Sequence, residues 1–161
     1  MNGHYFLWLV PEEPYFTSFL SVISDLSRLF EGVSFLPHVT FCTSDNPDIF
    51  DLAIPSIEIQ IQDICHSDAF FQSIYLSLNS QKLEDLRSQI AHKYKIPPQP
   101  HLSLFYGELT RTERHDICSS LQVDVKQCTL SKKVLVYGKT ETSHGYSNVR
   151  SWQIIKTEVL R

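Results

Sequence analysis

The chain has 161 residues, 42% of them apolar and 20% charged, a length that suits one domain or two closely packed lobes burying roughly 70% of the unfolded surface. Acidic residues outnumber basic ones by 18 to 14, for a formal charge of −4, which argues against a long nucleic acid as partner because gripping many phosphates calls for a basic excess. No stretch approaches the roughly 20 apolar residues of a membrane span, and the run from Met1 to Pro11 lacks the basic start of a signal peptide, so a cytoplasmic location without a membrane partner is expected.

Tyr5 to Val10 is rich in aromatic and branched residues and stops at Pro11, which predicts a strand. From Glu12 to Glu31 the apolar residues fall at helical spacing, with Gly32 as the expected residue past the helix end. Pro37 introduces a short strand, His38 to Cys42, then a loop through Asp45 and Pro47. Ile57, Ile59 and Ile61 alternate with polar residues as in a half-buried strand. The order then repeats. Ser73 to Leu78 predicts a strand, Ser80 to Tyr94 a helix, and Pro97-Pro98-Gln99-Pro100 a break before a strand from His101 to Tyr106. Thr110 and Glu113 offer a capping box for a helix reaching Leu121. Two strands near Gln122–Leu130 and Lys133–Lys139, a polar loop over residues 141–148 and a last strand over 152–159 complete the chain.

Strand, helix and a Pro-His-apolar-hydroxyl-apolar string thus occur twice, in units around residues 4–64 and 72–140 of a single domain spanning 1–161. The strings are His38-Val39-Thr40-Phe41 and His101-Leu102-Ser103-Leu104. Side chains two apart on a strand share a face, so each strand would present one imidazole and one hydroxyl on an apolar backing. A lone histidine on a strand is more often structural, and a lone threonine or serine is an ordinary strand residue. Two matched pairs in matched supersecondary units point to one cleft between two related lobes. Two imidazoles can serve as base and acid near neutral pH, while Thr40 and Ser103 donate hydrogen bonds to phosphate oxygens. That set suits opening a cyclic phosphodiester with water. No carboxylate cluster calls for a metal, and no cofactor is expected.

His4, His66, His92 and His115 lie outside the repeat and read as surface or turn residues; His144 and Tyr146 sit in a polar loop that could cover the cleft. Cys42, Cys65, Cys118 and Cys128 have no metal-finger spacing and read as small hydrophobes in a reducing compartment.

In these tetrads the chain resembles the two-histidine phosphoesterase superfamily, and within it the plant and yeast cyclic phosphodiesterases. Pro37-His38-Val39-Thr40, Pro100-His101-Leu102-Ser103-Leu104, Tyr106-Gly107 and Ser151-Trp152 carry the likeness. The resemblance implies an α+β, bilobal fold: two pseudo-symmetric lobes, each with an antiparallel sheet and helices, and an active-site cleft between them. It implies metal-independent hydrolysis of ADP-ribose 1″,2″-cyclic phosphate or of nucleoside 2′,3′-cyclic phosphates to 2′-phosphates. His38 and His101 would be catalytic, Thr40, Ser103 and Tyr106 would bind phosphate, and Trp152 could stack on a base. The four cysteines do not map onto the disulfide arrangement of the plant enzymes, so no redox regulation is read from them. A monomer acting on a small cyclic-phosphate nucleotide is the expectation. The competing readings are an enzyme for the 2′,3′-cyclic or 2′,5′-linked end of an RNA, with Arg111, Arg114, Lys132 and Lys133 as its basic residues, and a non-catalytic phosphate-binding module.

Overall fold

The computed structural model describes residues 3–139 and 145–161. Its elements run β1 (Gly3–Pro11), α1 (Tyr15–Leu29), β2 (Val39–Ser44), β3 (Ile57–His66), β4 (Ile74–Asn79), α2 (Gln81–Ile90), β5 (His101–Phe105), α3 (Arg111–Ser120), β6 (Gln127–Lys139), α4 (Gly145–Ser151) and β7 (Gln153–Val159). Short 3-10 turns at Pro47–Asp51 and Phe70–Gln72 fill two connections. The result is the expected α+β architecture with antiparallel pairing throughout.

The two repeats do not form self-contained lobes. β1 lies between β2 of its own unit and β6 of the other, while β4 lies between β5 of its own unit and β3 of the other. Each repeat therefore sends its third strand into the sheet of its partner. β2 meets β5 at Val39↔Leu102, and β3 meets the start of β6, which closes a circuit of pairings. The two strands expected near Gln122–Leu130 and Lys133–Lys139 are one. At Ser131-Lys132, between the two expected strands, β6 changes neighbours, leaving β3 for β1 and β7. The loop expected over 141–148 is helical from Gly145 onward.

Helix ends follow local chemistry. Thr110 and Glu113 form the anticipated capping box, with the Glu113 amide donating to Thr110 Oγ1 at 3.1 Å and the Thr110 amide to Glu113 Oε1 at 2.9 Å. α1 stops at Leu29, and its exit residue with positive φ (54°) is Glu31, not Gly32. Gly32 is required for space, because a Cβ there would lie 2.4 Å from the Phe105 ring. α2 ends at Ile90 and not at Tyr94, since the chain turns so that Thr43 and Lys95 exchange backbone hydrogen bonds of 2.9 and 3.2 Å.

Leu7 and Leu9 of β1 enter the main core with Phe19, Ile23, Ile57, Ile74, Leu83 and Leu102. On its other face Phe6, Trp8 and Val10 form a smaller cluster with Val134, Val136 and Trp152. That second cluster floors the site described next. All four cysteines are free; Cys42 and Cys128 are buried, and burial pushes both thiols up to about 12. No helix among the described residues is long and apolar enough to cross a membrane.

Candidate active site

The tetrads share a backbone device that strict alternation hides. Between β1 and β2, Trp8 pairs with Thr40 and Leu7 with Cys42, so Phe41 is skipped. Between β4 and β5, Tyr75 pairs with Ser103 and Ile74 with Phe105, so Leu104 is skipped. Each strand thus carries a β-bulge three residues past its histidine, and an extra residue re-aims everything beyond it. Phe41 and Cys42 both turn inward, as do Leu104 and Phe105. The positions after them, Thr43 and Tyr106, turn to the cleft.

The cleft is a cavity of about 310 Å³ lined by His38, Thr40, Thr43, His101 and Tyr106 together with Phe6, Trp8, Phe71 and Trp152. Gln72, Pro97, Lys139 and Asn148 complete its rim. The structure therefore brings His38, Thr40, His101, Tyr106 and Trp152 together.

Both histidines are oriented in the same way. His38 Nδ1 lies 2.6 Å from the Leu36 carbonyl, and His101 Nδ1 lies 3.0 Å from the Gln99 carbonyl, each two residues upstream. A carbonyl only accepts, so each Nδ1 carries the proton and each neutral ring keeps its Nε2 lone pair for the cleft. The surroundings differ. His38 is 5% exposed and stacks on Trp8 at 3.7 Å between ring centroids, with Phe35 and Trp152 edge-on. Burial pushes its pKa down to about 3, against the opposing pull of the Leu36 hydrogen bond and with a small further push from His101. His101 is half-buried with Tyr75 edge-on at 5.6 Å. Burial lowers its pKa first, and the positive charge of Arg87 adds to that.

The two hydroxyls are not equivalent. Thr40 lines the cavity. Ser103, expected to donate to a phosphate directly, is 3% exposed, and its hydroxyl donates to the Phe71 carbonyl at 2.9 Å. The bond ties β5 to the turn at Phe70–Gln72. Tyr106 is buried, stacked on Phe35 at 3.7 Å, with its hydroxyl 3.5 Å from His38 Nε2 and close to Ser103. Burial holds the phenol above its ordinary range, so it remains a proton donor.

Trp152 packs edge-on against Trp8 and Tyr106 and lies flat over Phe71, with a buried Nε1 that has no partner among the described residues. Gly138 makes this possible, since a Cβ there would sit 2.1 Å from the indole. Tyr146 does not line the cavity; it packs edge-on against Phe70 at 4.9 Å, and its hydroxyl donates to the Glu31 carbonyl at 3.4 Å. His144 lies outside the described residues. Of the basic residues considered for RNA, Lys133 is buried, with Nζ donating to the carbonyls of Phe50 (2.5 Å) and Leu52 (3.1 Å). Arg114 is turned to the Leu109 carbonyl and His66. None of Arg111, Arg114, Lys132 and Lys133 lines the cavity, whereas Lys139 does. Sequence reasoning missed Trp8, whose place on His38 depends on strand register, and Thr43, which alternation assigns to the core. Among the described residues no three His, Cys, Asp or Glu side chains gather as metal ligands would.

No family model matches the chain. A cyclic phosphodiesterase of Arabidopsis thaliana is 27% identical over 124 residues, 68% of each chain. Among solved structures, TT0787 of Thermus thermophilus matches with a TM-score of 0.61 at 12% identity, over 98% of both chains. E. coli LigT complexed with 3′-AMP matches with a TM-score of 0.55 at 11% identity, over 98% of this chain and 97% of that one. Sheet, helices and paired histidine strands together define the two-histidine phosphoesterase fold. The chain is thus similar in sequence to a plant cyclic phosphodiesterase and has the fold of the two-histidine phosphoesterases.

Proposed function

We propose that the protein is a metal-independent cyclic phosphodiesterase for small substrates, nucleoside 2′,3′-cyclic phosphates or ADP-ribose 1″,2″-cyclic phosphate, with His38 and His101 as its acid–base pair. The observation that carries this reading is the pair of imidazoles on joined strands, each with Nδ1 held by a carbonyl and Nε2 left for one cavity. One Nε2 takes a proton from the attacking water as its oxygen bonds to phosphorus. The other imidazole, protonated at Nε2, gives its proton to the departing ribose oxygen, leaving a phosphate monoester and a free hydroxyl. Thr40 and Tyr106 donate hydrogen bonds to the non-bridging oxygens, with Ser103 bracing Tyr106 and the Phe71 turn. Phe6, Trp8, Phe71 and Trp152 offer an apolar wall for a planar base. A volume at the lower end of small-molecule sites favours a mononucleotide over a chain. The working protein is a monomer of the cytoplasm, where its cysteines stay reduced.

The pair must hold one proton between them, yet burial favours both rings neutral. The anionic substrate therefore brings a proton in with it, and affinity for a nucleotide 2′-phosphate should rise as pH falls from about 7.5 to about 6. The test incubates the protein, in excess chelator, with a nucleoside 2′,3′-cyclic phosphate and separately with a cyclic-phosphate-ended oligonucleotide. Hydrolysis of the first is expected. Turnover of neither substrate would remove the enzymatic reading, and preference for the oligonucleotide would redirect it to RNA ends.

A further inference from the structure

Arg87, in the last turn of α2, is a buried cation that does not line the cavity. It is 5% exposed, and among the described residues no acidic side chain forms a salt bridge with it. Its Nη2 donates to the Pro97 carbonyl, and its Nε is buried without a partner among the described residues. Burying a guanidinium with so little compensation is costly, so its retention needs an account in what it touches.

What it touches is the segment leading into β5. Pro97, Pro98 and Pro100 have no amide N–H, so this turn has little with which to hold its own shape. Its carbonyls do the anchoring: Pro97 accepts from Arg87, and Gln99 accepts from His101 Nδ1. Pro97 also forms part of the cavity rim. The guanidinium thus fastens one end of a short proline-rich segment whose other end sets the aim of an imidazole.

We propose that Arg87 is a positioning residue for His101, clamping through the Pro97 carbonyl the turn whose Gln99 carbonyl aims the ring. This rests on the two-histidine reading above. The groups facing Arg87 are Glu84 one turn back and Cys42 on β2, and those facing His101 are Arg87, Tyr75 on β4 and His38. Among them Arg87 is the standing positive charge. A positive charge nearby disfavours protonation of an imidazole, so Arg87 acts on His101 in the same direction as burial. Arg87 is not among the influences on His38, which makes that ring an internal control.

The experiment follows the His101 and His38 ring signals by NMR through a pH titration in wild type, Arg87→Met and Arg87→Lys, alongside kcat and KM for a nucleoside 2′,3′-cyclic phosphate. In Arg87→Met the His101 titration should move to higher pH while that of His38 stays, and kcat should fall about tenfold with KM little changed. Arg87→Lys should keep the titration of His101 near wild type but lose part of kcat, because an ammonium lacks the fixed fork. Should Arg87→Met not fold, Arg87→Gln removes the charge while keeping a donor for Pro97. A neutral variant with an unmoved or lowered His101 titration, or wild-type kcat in Arg87→Lys, overturns the proposal. The titration reads out without turnover, so a protein inactive on every cyclic phosphate would fail the functional proposal and leave this one still tested.

Discussion

The two histidine strands are alike in backbone and unlike in what surrounds them. Each holds Nδ1 with the carbonyl two residues back, and each carries a bulge three residues on. Yet His38 is sealed under an indole in an aromatic wall, while His101 is half-buried, with Tyr75 at its edge and Arg87 acting on it. The backbone aims both rings alike; burial lowers the proton affinity of both, that of the sealed His38 to about 3. Titratable groups pushed apart by their environments are how a near-symmetric pair acquires two roles.

The harshest way to break the comparison is to remove each ring. His38→Ala and His101→Ala should each lose roughly 10²- to 10⁴-fold in turnover with the fold intact, measured by steady-state kinetics beside circular dichroism. If one substitution left the rate near wild type, only a single imidazole would be at work. Next is Trp8→Ala, which empties a buried site and should cost about 3–5 kcal/mol of stability in denaturant unfolding. It should also raise the His38 titration toward its ordinary value and leave His101 unmoved. The hydroxyls sharpen the contrast at lower amplitude. Thr40→Ala should reduce kcat/KM about tenfold with little change in stability, the loss of one donor to the reacting group. Ser103→Ala should instead show its main effect as about 1 kcal/mol of stability, since its bond is to the Phe71 carbonyl. Equal losses of activity from the two would restore the symmetric view. The smallest effect is on stability against pH. The folded pKa of His38 lies below its unfolded value of 6.5, so the unfolded chain binds the extra proton between them. That contribution is complete above about pH 6.5 and is lost as pH falls toward about 3; His38→Asn should flatten this slope in urea titrations.

Most elements were legible because they follow local periodicity: the α1 stripe, the Ile57–Ile61 alternation and the Thr110–Glu113 box all lie within a few residues of chain. The matched tetrads were legible as chemistry because their spacing puts imidazole and hydroxyl on one face. What stayed hidden depends on partners distant in sequence. A bulge is a relation between two strands, so nothing in Val39–Ser44 alone announces that Thr43 faces the cleft. Ser103 reads like Thr40 until the Phe71 carbonyl arrives from a turn 32 residues earlier. Lys133 reads as a surface cation until the carbonyls of Phe50 and Leu52 cap it. Arg87 looks like an ordinary helix charge, because its partner, Pro97, belongs to a turn that the prolines mark only as a break.

The exchange of third strands between the repeats bears on how substrate comes and goes. Two lobes joined by a linker can swing apart on a hinge, but here β3 is hydrogen-bonded into the sheet of the second unit and β6 into that of the first. Neither repeat can therefore move as a unit; the bodies on either side of the cleft are the two strand-exchanged sheets, joined by the Val39↔Leu102 pair and by the pairing of 57–60 with 127–130. Any opening for ligand exchange is therefore expected to strain that short seam and not the long ladders within each sheet. A single-turnover rate faster than the steady-state rate would show that opening of the seam, and not chemistry, limits release.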